Sequence, residues 1–213
     1  MKILPYSNSN HPLSAEDKSQ RISAASEHFA KFMETLGFDW ENDPNSRDTP
    51  MRVAKAYMND ICSGCFDEPP KVTAFDNVDE YDGVVAQTNI PLTSLCAHHW
   101  LLFTGKAHVA YIPSKDGKVI GLSKINRIVD WIARRPSVQE NATQNIHDYI
   151  NKVCENNQGV AVMVEADHTC CSCRGIGHNS TMRTAKVSGA FLDPNDTSRA
   201  EFYKFIEFAK TPV

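Results

Sequence analysis

The sequence has no apolar run of the length a bilayer crossing needs. Its first residues, MKILPYSNSNHPLSAEDKSQ, lack the apolar core that a signal peptide carries. Both absences speak against a membrane partner and against export, so the chain is expected in the cytoplasm. An excess of positive charge is also missing: 22 Lys and Arg stand against 26 Asp and Glu, a formal net charge of −4. No general nucleic-acid-binding surface is expected from that balance, although a pocket can be locally basic on an acidic protein and take a small anion. An even cysteine count is absent too. Seven cysteines fit poorly with a fully paired disulfide framework, and in a reducing compartment they read as thiols or metal ligands. Internal repeats and low-complexity tracts do not occur.

What is present suits one folded unit of 213 residues with 41% hydrophobic side chains. Residues 1–13 read as a flexible N-terminal arm. Residues 14–70 read as a helical region. Ile22, Ala25, Phe29, Phe32, Met33 and Leu36 recur at spacings of three and four, predicting a helix from Ser14 to Leu36. A second helix is predicted from Thr49 to about Ser63, with Thr49 as N-cap, Pro50 in the first turn and Gly64 at the stop. From residue 71 onward the texture becomes that of strands. Val84 to Leu92 and Leu101 to Pro113 read as two of them. Helices are predicted at Ser123–Ala133 and Ser137–Cys154, then a strand through GVAVMVEADHTC, another at Ala185–Leu192, and a last helix from near Thr197. That order predicts an α+β fold with an antiparallel sheet.

Two segments concentrate metal-ligating chemistry. SLCAHHW brings Cys96, His98 and His99 together, and EADHTCCSC brings His168, Cys170, Cys171 and Cys173. Thiolate and imidazole together favour zinc. Three protein ligands with an open fourth position suit catalysis, because the metal can lower the pKa of a bound water toward ~7. Read as a strand, the second segment turns His168, Cys170 and Ser172 to one face and Cys171 and Cys173 to the other. The CSGC pair at Cys62 and Cys65 reads as ordinary buried cysteine, as does Cys154.

The stretch GLSKINRIVDWIARRPSVQE joins a helix start at Ser123 to Lys124 and Arg127, which share one helical face. A helix N-terminus flanked by cations is a natural phosphate site. Basic residues on a helix are, however, more often just a solvated face. Gln139 and Glu140 open the next helix, where a carboxylate is favoured by the helix dipole alone.

SLCAHHW, GKAHVAYIP, VIGLSKINRIVDWIARRPSVQE and CRGI, with RDTPMRVAKAYMNDICSG upstream and AFLDPNDTSRAEFYKFI downstream, closely resemble the GTP cyclohydrolase I family over nearly the whole chain. The resemblance implies a tunnelling fold (T-fold) over residues 71–213, in which subunits join antiparallel sheets into a barrel within a homodecamer. It implies one zinc per subunit on Cys96, His99 and Cys170, with His98 and His168 assisting proton transfers. It implies that Glu140, with Gln139 beside it, anchors the guanine edge of GTP. It implies that Arg52, Lys55, Ser123, Lys124, Arg127 and Arg174 surround the triphosphate, Arg52 and Lys55 reaching in from a neighbouring subunit. The activity implied is hydrolysis of GTP to 7,8-dihydroneopterin triphosphate and formate, feeding folate, pterin or deazaguanine synthesis.

The chain departs from the family pattern where Ala97 replaces the usual Glu, at Gly177-His178-Asn179 after CRGI, and at Cys171 and Cys173 beside the metal cysteine. Ala97 supports one alternative, a catalytically weakened or inactive GTP-binding T-fold protein. A related enzyme of the same fold and a structural zinc protein are others, and the last leaves the basic segment and Glu140 without a joint purpose.

Overall fold

A computed structural model describes residues 3–209, which divide into two compact units, one ending at Glu68 and the other beginning at Pro69. In the first, α1 (Ala15–Thr35) starts where the Ser14 hydroxyl accepts the Asp17 N–H at 3.0 Å, a side-chain cap of an orphan donor. It packs on α2 (Thr49–Ala56), yet none of its own residues is buried. The single second helix expected from Thr49 to Ser63 is interrupted. Asp48 holds the N-cap position, and α2 gives way to a π-turn at Tyr57–Ile61 before the short α3 (Ser63–Phe66). The cause is local: the Cys62 N–H bonds the Tyr57 carbonyl five residues back, at 2.9 Å, which widens the turn. Residues within the segment read as an arm pair with this region, His11 and Leu13 donating N–H groups to the carbonyls of Cys65 and Phe66.

The second unit is built on a five-stranded sheet. Its strands are β2 (Val85–Cys96), β3 (Leu102–Ile112), β5 (Pro136–Ser137), β6 (Gly159–His168) and β7 (Thr181–Val187), in the order β5-β2-β3-β6-β7. All neighbours are antiparallel except the short β5, which runs parallel to β2. A separate pair, β1 (Ala74–Asp76) and β4 (Lys118–Ile120), lies outside it. Alternation along β3 and β6 sends side chains to opposite faces. Ala107, Val109, Tyr111, Val160, Val162 and Val164 pack beneath α4 (Leu122–Ala133) and α5 (Gln139–Val153), against Ile125, Ile128, Val129, Ile132, Ile146 and Ile150. Ala110, Ile112, Ala161 and Met163 meet Phe191, Phe202 and Ile206 on the other face. Those three come from a 3₁₀ turn, Gly189–Leu192, and from α7 (Ser198–Phe208). The expected strand at Ala185–Leu192 therefore ends at Val187, where Gly189 takes φ +58° and the chain turns off the sheet.

Candidate active site

The β2–β3 and β3–β6 registers decide where the chemistry gathers. Phe103 pairs with Ser94 on one side and with His168 on the other, so the end of β2 and the end of β6 share one edge of the sheet. Cys96 is the last residue of β2. The tight turn after it closes by Cys96 N–H to Leu101 O at 2.8 Å and Trp100 N–H to Cys96 O at 2.9 Å, with Trp100 at φ +54°. A positive φ on so bulky a residue is uncommon and marks a constrained turn. His98 and His99 stand exposed on it.

β6 stops at His168, and Thr169–Ser172 forms a helical turn, α6, rather than the continued strand expected from alternation. In this register Thr169 falls opposite Leu102, the first residue of β3, but no ladder pair forms there. The Thr169 hydroxyl instead donates to the Leu102 carbonyl at 2.6 Å. The turn still brings Cys170 beside His168, with 4.0 Å from Sγ to Nδ1. Cys96, His168 and Cys170 offer ligand atoms that all lie within 4.8 Å of one another, the only such metal-type cluster among the described residues. His99 is outside it. Burial, reinforced by the neighbouring Cys96 and then Cys171 thiols, pushes the Cys170 thiol up to about 11. Two soft sulfurs facing each other with an imidazole beside them form a donor set that fits zinc, which on binding removes those protons.

His168 is held from three directions. Its ring stacks on Phe103, centroids 4.5 Å apart and planes at 10°. Its Nε2 meets Gln139 Oε1 at 2.8 Å. Burial lowers its pKa, partly offset by the charges of Glu140 and Asp167. Glu140 is exposed at the start of α5, within electrostatic reach of His168. β5 accounts for that: Ser137 pairs with Cys96, and α5 begins two residues later. Gln139 is 1% exposed, and its side-chain amide nitrogen bonds the carbonyls of Val164 and Met182.

Ser123 and Arg127 are exposed, and Lys124 half-buried, on the first turns of α4; Arg174 is exposed after α6. Arg52 and Lys55 lie on α2 in the other unit, Arg52 paired with Asp48 at 2.9 Å. The site residues that sequence reasoning missed are Phe103, Thr143 and Thr184, which contact His168 or Gln139. Strand register brings Phe103 and Thr184 there, and one turn of α5 brings Thr143, four residues after Gln139.

The GTP cyclohydrolase I family model matches residues 25–207. GTP cyclohydrolase 1 of Aeromonas salmonicida is 41% identical over 191 residues, covering 89% of this chain and 84% of that protein. GTP cyclohydrolase 1 of Haemophilus ducreyi is 40% identical over 193 residues, with 90% and 86% covered. The Yersinia enterocolitica protein of the same name is 40% identical over 195 residues, with 91% and 86% covered. Among solved structures, the apo archaeosine synthase QueF-Like covers 49% of this chain with 17% identity and a TM-score of 0.38, too slight a likeness to argue from. The match across both the helical region and the sheet, at this identity, places the chain in the GTP cyclohydrolase I family.

Proposed function

We propose that this chain hydrolyses GTP to 7,8-dihydroneopterin triphosphate and formate in the cytoplasm, as a zinc enzyme working in a homodecamer. The observation that carries this reading is the convergence of Cys96 and Cys170 beside His168, with the exposed Glu140 of α5 within electrostatic reach of that ring. Cys96, His99 and Cys170 would hold the metal, His99 supplied by the exposed turn three residues after Cys96. Bound there, zinc supplies a Lewis acid and hydroxide at neutral pH.

The protein's own groups do the rest. Glu140 accepts hydrogen bonds from the guanine N–H groups, an arrangement that penalises any base unable to donate them. Ser123, Lys124, Arg127 and Arg174, with Arg52 and Lys55 of a neighbouring subunit, hold the triphosphate. His168 and His98 move protons as water adds at carbon 8 and the imidazole ring opens. A second hydrolysis releases formate, and the rearranged ribose closes onto the diamine with loss of water. Imidazole suits these steps because its ordinary pKa lies near neutrality. The product can serve folate, pterin or deazaguanine synthesis.

The test is GTP turnover by zinc-loaded protein, following formate release and pterin fluorescence after oxidation, beside Cys170→Ala and His99→Ala. Both products are expected from the wild type. Each variant should lose bound zinc and at least ~10²-fold in turnover. Formate without pterin would point to Ala97 and an arrested reaction. GTP binding with no consumption would overturn the enzyme reading in favour of a GTP-binding member of the fold.

A further inference from the structure

Gln139 has more partners than a surface helix start requires, and they fix its orientation. Its Nε2 lies 3.1 Å from the carbonyl oxygens of Val164 and Met182 and 3.1 Å from Thr184 Oγ1. Carbonyl oxygens only accept, so the amide nitrogen must be the atom facing them. The hydroxyls close a ring around this choice. Thr143 donates to the Gln139 backbone carbonyl at 2.9 Å. Its single proton is thereby used, so Thr184 Oγ1, 2.6 Å away, donates to Thr143 and stays free to accept from the Gln139 amide. With the nitrogen turned inward, Oε1 faces His168.

We propose that Gln139 is a positioning residue, whose Oε1 accepts the Nε2–H of His168 and so holds that ring in the tautomer that leaves Nδ1 bare toward Cys170. Three independent constraints converge on this. The Oε1–Nε2 distance is 2.8 Å, and an amide oxygen there can only accept. Stacking on Phe103 resists a flip of the ring. Gln139 and Thr143 are both almost fully buried, at 1% and 2% exposed, so water does not compete for the network. The consequence is that the lone pair of His168 Nδ1 is aimed at the thiol cluster. A ring flipped or tautomerised would present an N–H there instead. Orientation of a functional imidazole by the partner of its second nitrogen is a general device.

The kinetic part of this inference rests on the cyclohydrolase reading above, while the tautomer does not. The test is magic-angle-spinning NMR of the zinc-loaded protein labelled with carbon-13 and nitrogen-15 histidine, at a pH where the ring is neutral. The His168 signals are assigned by their loss in His168→Ala. One tautomer, protonated at Nε2, is expected in the wild type. Gln139→Met removes the acceptor with little change of volume and should yield a mixture of tautomers. It should lower kcat by about 10- to 100-fold with KM for GTP within about twofold. Thr184→Val, which loosens the amide without deleting it, should move both readouts the same way by less, and it decides the matter if Gln139→Met does not fold. An unchanged tautomer in the variants overturns the proposal. So does a raised KM at unchanged kcat, the signature of direct purine contact. A wild type that consumes no GTP but shows the tautomer shift upholds the positioning and sinks the cyclohydrolase reading alone.

Discussion

Burial pushes the thiols of Cys62 and Cys154 up to about 12, with Cys65 adding to the effect at Cys62. Cys154 is 0% exposed, and its Sγ donates to the Lys118 carbonyl at 3.1 Å, so only the neutral thiol suits the site. A pKa raised in the folded state contributes stability below the ordinary value of 9.0. That contribution is lost as pH climbs through the folded value, because the unfolded chain gives up its proton first. Thermal midpoints measured from about pH 8 to 11 should therefore fall with pH, and Cys154→Ala should start lower but fall less steeply. An equal slope in the variant would show that this thiol does not titrate on unfolding. At this scale the sequence was uneven in what it revealed. Cys96 and Cys170 stood out because cysteine and histidine cluster around both. The task of Gln139 was hidden, since its partners lie 25, 43 and 45 residues further along the chain. His168 looked like a strand neighbour of Cys170, whereas a helical turn brings the two together.

Among the elements, β3 carries the greatest geometric burden, lying between β2 and β6 with both ladders aligned to the site edge. At Gly105 the backbone of β6 leaves no room for a side chain. A Cβ there would lie 2.0 Å from the Glu165 carbonyl oxygen and 2.6 Å from the Ala166 Cα. Both are backbone atoms and cannot step aside without opening the ladder. Gly105→Ala is expected to cost roughly 3 kcal/mol or more. That corresponds to a drop of about 10 °C in thermal midpoint. A midpoint within a degree or two of wild type would contradict this. The helices α1, α4, α5 and α7 were legible from apolar periodicity and their turn residues. The π-turn after α2 was not, because YMNDI keeps a helical period and nothing in it announces a bond five residues long. Nor was the end of β6 at His168, after which the Thr169 hydroxyl, not its backbone, bonds the Leu102 carbonyl.

For the whole molecule, the two apolar clusters of the sheet unit draw their buried residues from Ile90 to Ile206 alone, so that unit contains its own core. Residues 69–213, produced without the first unit, are expected to fold with a single cooperative thermal transition followed by circular dichroism. A broad, non-cooperative transition would show that the helical region is needed to complete the core. The α+β class could be read from the order of helices and strands. The strand order β5-β2-β3-β6-β7 could not, because β5 is two residues long and pairs by position, not by pattern.

The switch from strand to helical turn at Thr169 also sets how the chain tolerates changes of length. Between His168 and Cys170 each added or lost residue would swing Cys170 by about 100° around the turn axis, carrying its sulfur away from Cys96. A few residues later, Gly175 and Gly177 sit at φ +64° and +65° with no atom within 4 Å of where a side chain would begin. Insertions and deletions should therefore be excluded between His168 and Cys170 and accepted in the loop just beyond. The tolerance of this segment would change abruptly within a span shorter than two helical turns.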